Sequence, residues 1–218
     1  MQSTTPKNSQ PDIEEGTLLD NEEMTDANDS ADVYDNIVTG ATANELMPNP
    51  GPVDEEFAEA ANRVLRDAAE MVRRLIPSHQ SAVGVLVDGD WTTMRKVFSL
   101  SPKYQAWAEY HAAAVGLGTH RWLLEQTGSV RLTEAELEAH PEWKNFSSQA
   151  SVHPPMRGWL ATQIIDSKGT HWGLIQLSDR ETGDYTASEE AALNQFADLL
   201  SLTLEALWEV HNLKLLKP

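Results

Sequence analysis

Residues 156–200 read, in order, as a strand, a tight turn, a second strand, a polar loop and a capped helix. Arg157–Asp166 and Thr170–Ser178 are apolar-rich runs on either side of Ser167-Lys168-Gly169. Two such runs about so short a glycine turn pair as an antiparallel hairpin. Thr186-Ala-Ser-Glu189 is a capping box, in which the Thr hydroxyl and the Glu carboxylate satisfy each other's backbone N–H groups. The helix it starts runs to about Leu213, with Leu193, Phe196, Leu200, Leu204, Leu207 and His211 along one face. A hairpin followed by such a helix buries its apolar surface by laying the helix across the sheet.

The rest of the chain supplies matching parts. Asp54 to Leu75 is helical by pattern, since Phe57, Ala61, Val64, Ala68, Met71 and Leu75 alternate spacings of four and three, the seam of a helix packed on another helix. Pro77 stops it. Ala82–Val87 and Met94–Leu100 form a first hairpin across Asp88-Gly89-Asp90. A helical, aromatic-rich insertion follows from Pro102, interrupted by a loop around Gly116 and Gly118. A short strand at Ser129–Leu132 leads into a second capping box, Thr133-Glu-Ala-Glu136. Local pairing makes the sheet antiparallel. The expected fold is α+β, an antiparallel sheet covered by helices. An N-terminal helix occupies residues 53–77, a core 78–186 and a C-terminal helix 187–214.

Residues 1–52 are polar and acidic. Through residue 53 the chain holds eleven acids against Lys7 alone, and so carries −10 of the total formal charge of −18. With too little apolar surface to offset ordering entropy, this tail is expected to be disordered. It is either a solubilising tail or a partner-binding or autoinhibitory acidic strip around Leu18–Leu19 or Val33–Tyr34. The acidic balance argues against nucleic acid and against an anionic membrane surface, both of which call for Lys and Arg. There is no cysteine, hence no disulfide and no thiolate chemistry. No run reaches the ~18–20 apolar residues of a membrane span, no signal peptide is evident, and a cytoplasmic location is expected.

Two phrases carry a family resemblance: Pro154-Pro155-Met156-Arg157-Gly158-Trp159-Leu160-Ala161, and Trp172-Gly173-Leu174-Ile175-Gln176-Leu177-Ser178-Asp179. In this order the chain resembles GAF domains, the GAF/PAS-like modules of bacterial sensor histidine kinases and diguanylate cyclases, over roughly residues 78–205. The resemblance implies a signalling module that binds a small ligand or a partner and often dimerises. It also implies exclusions, because bilin attachment and methionine sulfoxide reduction in such domains use cysteines. The Asn-Lys…Phe…Asp-Glu signature of cyclic-nucleotide members has become Ser178-Asp179-Arg180…Tyr185…Glu189-Glu190, which argues against that ligand. Arg180 with Glu189 or Glu190 also reads as an ion pair closing the loop.

The candidate site is a pocket between the sheet and the insertion 101–153. Its walls would be Trp107, Tyr110, His111, Trp122, Trp143, Phe146, His153 and Trp159, near Tyr104 and His120, with Arg157 placed to hold a carboxylate or phosphate. The same aromatics can equally be core, since each buries roughly 150–250 Å². The seven histidines form no compact ligand pair, and no metal or cofactor is expected. No nucleophile–base motif, P-loop or dinucleotide fingerprint is present, so catalysis is not expected.

The leading expectation is a stand-alone regulatory module taking a non-covalent ligand or a partner protein such as a histidine kinase or response regulator. The alternative is a structural dimerisation protein with a filled pocket. In either case a homodimer is expected through Phe57, Val64, Met71 and Leu75 on one helix and Leu193, Leu200, Leu204 and Leu207 on the other.

Overall fold

A computed structural model describes residues 54–87, 90–108, 118–143 and 155–216. The acidic tail and its two apolar spots lie outside them, as do Tyr110, His111, Phe146 and His153. Helix α1 (Glu55–Leu75) begins where Asp54 accepts the Phe57 N–H at 2.7 Å, with Glu55 and Glu56 in its first turn and Arg73 and Arg74 in its last, both favourable to the helix dipole. Strands β1 (Ser78–Val87) and β2 (Asp90–Leu100) follow, then a 3₁₀ turn at Pro102–Trp107. After these come α2 (Gly118–Leu124), β3 (Val130–Leu132), α3 (Glu134–Ala139), β4 (Trp159–Ile165), β5 (His171–Arg180) and α4 (Ala187–Leu215). Both capping boxes form as the sequence predicts.

The five strands make one antiparallel sheet in the order β2-β1-β5-β4-β3. Side chains alternate across it. Val83, Val85, Val87, Leu160, Ile164, Trp172, Ile175 and Leu177 face α1 and α4 and share one core with them. Leu86, Trp159, Ala161 and Leu174 point to the opposite, second face, where Leu123 and Leu124 of α2 and Leu137 of α3 pack on them. At the centre the sheet is drawn tight: a Cβ on Gly173 would lie 1.9 Å from the Gly84 carbonyl oxygen, so only glycine fits.

The face that α1 buries is rotated from the expected seam. Phe57, Ala58, Ala61, Leu65, Ala68, Ala69 and Val72 are inside, whereas Met71 and Leu75 are more than half exposed. A single helix laid on a curved sheet follows its natural 3.6-residue period, and over five turns that carries positions 71 and 75 out of the contact. Strand β1 also starts four residues earlier than its apolar run. Its polar residues are paired in place: the Ser78 hydroxyl donates to the Ile76 carbonyl at 2.8 Å and that of Ser81 to the Ala69 carbonyl at 2.6 Å.

The dimer residues expected from sequence divide between the inside and the outside of the single chain. Phe57, Leu193, Leu200 and Leu204 are buried within the single chain, and Val64 and Leu207 are half-buried against the same core. The sheet's own face consumes them. What the two helices leave outward is Met71 and Leu75 on α1, with Leu199, Leu202, Val210 and Leu213 on α4.

Candidate functional site

The second face is built from cross-strand rows. Phe98, Ala82, Gln176, Ala161 and Val130 form one, running from β2 to β3. Lys96, Gly84, Leu174 and Gln163 form the next. Ala82, Gly84 and Ala161 give the middle of this face a floor of small side chains, with amides and an amine around it. Met94 and the stem of Lys96 lie over Gly84, where a Cβ would be 2.5 Å from the Met94 sulfur. Burial lowers the Lys96 amine to about 8.

Gln176 is held from two sides. Its Oε1 accepts the Trp159 indole N–H at 3.3 Å and lies 2.6 Å from His120 Nε2. An indole nitrogen only donates, so the contacting amide atom is the oxygen, and His120 must then donate through Nε2. Trp159 is fully buried, with the Trp122 ring 6.5 Å and the His120 ring 6.3 Å away. Gln163, on the neighbouring strand, donates from Nε2 to the Leu123 and Gln126 carbonyls at 3.0 Å each, which pins the end of α2 to β4.

A second polar group occupies one end of the sheet. Asp179, 2% exposed and at φ 54, accepts from the Tyr104 hydroxyl and from Lys103 Nζ at 2.7 Å, with Arg157 Nε at 3.9 Å. Tyr104 also reaches the Pro155 carbonyl at 3.1 Å, and Gln80 Nε2 donates to the same oxygen at 2.8 Å. Burial, reinforced by the Asp179 carboxylate, raises the Tyr104 hydroxyl well above the usual phenol range. The next residue, Arg180, pairs with Glu189 of the α4 capping box at 2.9 Å, as the sequence predicts. Desolvation works to raise Glu189, but the Thr186 N–H and hydroxyl and the Arg180 guanidinium outweigh it and lower its carboxyl.

The sequence-derived pocket residues divide between these two places. Trp122, Trp143 and Trp159 meet on the second face. Trp107 does not join them: its ring lies 5.2 Å from Tyr104, tilted by 49°. Arg157, with a side chain 53% exposed, stands beside Asp179 rather than inside an aromatic cage. Trp107 and Trp122 part because the 3₁₀ turn after β2 carries Trp107 to the end of the sheet while α2 carries Trp122 across its face. Gln163, Gln176 and Lys96 were not singled out, although a glutamine within an otherwise apolar strand was the available signal. A groove of about 460 Å³ outside α2, between Trp122, Arg121 and His140, was likewise not foreseen. Among the described residues no group of His, Asp or Glu could hold a metal ion, and no helix is long and apolar enough to cross a membrane.

An antiparallel five-stranded sheet with its terminal helices on one face and a polar-edged second face defines a small sensory domain. The chain belongs to the GAF domain family, whose model matches residues 61–204, a family of signalling and sensory modules. It is similar to GAF3 of a Synechocystis protein in its photoproduct state, at 15% identity and TM-score 0.52, covering 72% of this chain and 99% of that one. It is similar also to a GAF domain/HD domain protein from Geobacter sulfurreducens, at 13% identity and TM-score 0.51, over 69% of this chain and 95% of that one. A type II free methionine-R-sulfoxide reductase from Thermoplasma acidophilum has 15% identity and TM-score 0.51, over 69% and 96%. At these identities the likeness is one of fold. No curated protein matches the chain.

Proposed function

We propose that this GAF domain is a regulatory module that takes a non-covalent small ligand on its second face and passes the occupied state to α4 and to a partner, without catalysis. The observation carrying this is the Gln176 amide, fixed by Trp159 and His120 over a floor of alanine and glycine. A half-buried polar group oriented beside small side chains can give a ligand site its specificity. The sensing face is separated from the terminal helices by one layer of sheet, so a ligand can shift helix packing without touching it. In this proposal the module works in the cytoplasm. It pairs with a second copy through the outward sides of α1 and α4, and its target is another signalling protein such as a histidine kinase or a response regulator.

Native mass spectrometry and ultraviolet-visible absorption of protein isolated without added ligand test the proposal. The expected result is a bound mass released on denaturation, with a lower melting midpoint after its removal. Protein that carries no mass, and whose midpoint no compound of a metabolite panel raises, would sink it. A second reading, a scaffold whose face is simply filled, draws on Met94 and Lys96 lying over Gly84. That reading expects this negative outcome together with a stable dimer.

A further inference from the structure

Two glutamines on the second face carry complementary atoms that the fold leaves over. Gln163 is 6% exposed and spends its Nε2 hydrogens on the Leu123 and Gln126 carbonyls, while its buried Oε1 accepts no hydrogen bond among the described residues. Gln176 is half-buried. Its Oε1 is taken by Trp159 and His120, and its Nε2 hydrogens have no partner among the described residues. Leaving a buried amide oxygen unpaired is costly, so an orphan acceptor in a well-packed strand calls for a donor.

The register places the two together. Gln163 lies opposite Leu174 and Ala161 opposite Gln176, so the glutamines are diagonal neighbours on adjacent strands of one face. Diagonal pairs stand about 7–8 Å apart at their origins, within reach of one small group held between long side chains. Ala161 beside them contributes only a methyl. The two amides thus offer one acceptor and one donor to whatever sits between them.

Few chemical groups answer both. A carboxylate or phosphate would accept from Gln176 but place negative charge against the Gln163 oxygen. An amine would donate to Gln163 and leave Gln176 unanswered. A hydrocarbon would answer neither. A carboxamide or lactam edge carries an N–H beside a C=O and satisfies both.

We propose that the second face recognises its ligand through a carboxamide or lactam edge, with the ligand N–H donated to Gln163 Oε1 and the ligand carbonyl accepting from Gln176 Nε2, a proposal that rests on the small-ligand function above. Trp159 and His120 are positioning residues in this arrangement, since they fix which end of the Gln176 amide is presented.

The test is a titration of the full chain with benzamide, 2-pyridone, benzoate and toluene, followed by ligand-observed nuclear magnetic resonance. The amide and lactam probes are expected to bind about tenfold more tightly than benzoate or toluene. Gln176→Glu keeps an acceptor for Trp159 and His120 but replaces the amide NH₂ with oxygen. It is expected to lower benzamide affinity about tenfold and leave toluene unchanged. Gln163→Met, which removes the acceptor together with the two Nε2 bonds to the end of α2, gives a second variant should the first melt early. Equal binding of all four probes would overturn the carboxamide assignment and leave a small-ligand face standing. Binding of none, toluene included, would remove both.

Discussion

His211 Nε2 lies 3.1 Å from Asp54 Oδ2, and the same carboxylate accepts the Phe57 N–H through Oδ1, so one side chain caps α1 and holds the last turns of α4. The His211 ring is stacked 5.3 Å from Trp208 and lies 5.8 Å from Phe57, which closes the junction with aromatic contact. Asp54→Ala removes both bonds and is expected to cost about 1–2 kcal/mol, most of it from the lost cap. Asp54→Asn keeps the cap and should cost less. Urea titration of the three proteins checks the order; equal stabilities would show that the junction contributes nothing.

The same residue sets a pH dependence. The Phe57 N–H, with His211 beside it, holds the Asp54 carboxyl below its usual range. A carboxyl lowered in the folded state stabilises fully above its unfolded pKa, roughly 3.9, and loses that contribution as pH falls through the folded value. The acid limb of the wild type below about pH 4 should therefore be steeper than that of Asp54→Asn. Melting midpoints between pH 5 and pH 2 decide it.

Lys96 acts in the opposite range. Burial brings its amine down to about 8, so between that value and roughly 10.4 the unfolded chain holds more protons than the folded one. Stability is expected to rise with pH across this window. In Lys96→Met that rise should vanish. Parallel slopes for variant and wild type would mean that Lys96 is not desolvated.

Gly173→Ala places a methyl 1.9 Å from a carbonyl oxygen of the adjoining strand. The central strands would have to part, and a loss of about 3 kcal/mol or an insoluble product is expected. Gly169→Ala, in the β4–β5 turn at φ 80 with open space around it, should cost only about 1–2 kcal/mol. Comparable losses at the two positions would contradict the close approach.

The outward stripe of α4 separates association from folding. Glutamates at Leu199 and Leu213, both exposed, are expected to leave the melt of the protomer intact and to turn a dimer into a monomer in light scattering. Leu204→Ala, in contrast, opens the core and should cost about 2–5 kcal/mol. A wild type that is monomeric at high micromolar concentration would remove the proposed dimer.

Local features were legible in the sequence. The capping boxes at Thr133 and Thr186 and the turn at Gly169 depend on residues within four positions of one another, and their chemistry is in the letters. Which side of α1 faces inward was not, because Leu65 and Met71 are equally apolar and the choice is made by the sheet beneath. Ser78 and Ser81 disguised the start of β1, since their partners Ile76 and Ala69 come from α1 and the link after it. Gln163 and Gln176 look like ordinary strand glutamines until the register sets them on adjoining strands. Trp107 and Trp122 belong to one insertion, and nothing in their spacing told that they part company.

Asp179 and Arg180 are consecutive, yet the first grips Tyr104 at the root of the insertion and the second grips Glu189 at the head of α4. One peptide unit, turned by the left-handed backbone at Asp179, thus joins the two. The chain just beyond β2 and the first turn of α4 are therefore fastened to the same strand end, one through the buried Asp179 carboxylate and the other through the Arg180 guanidinium.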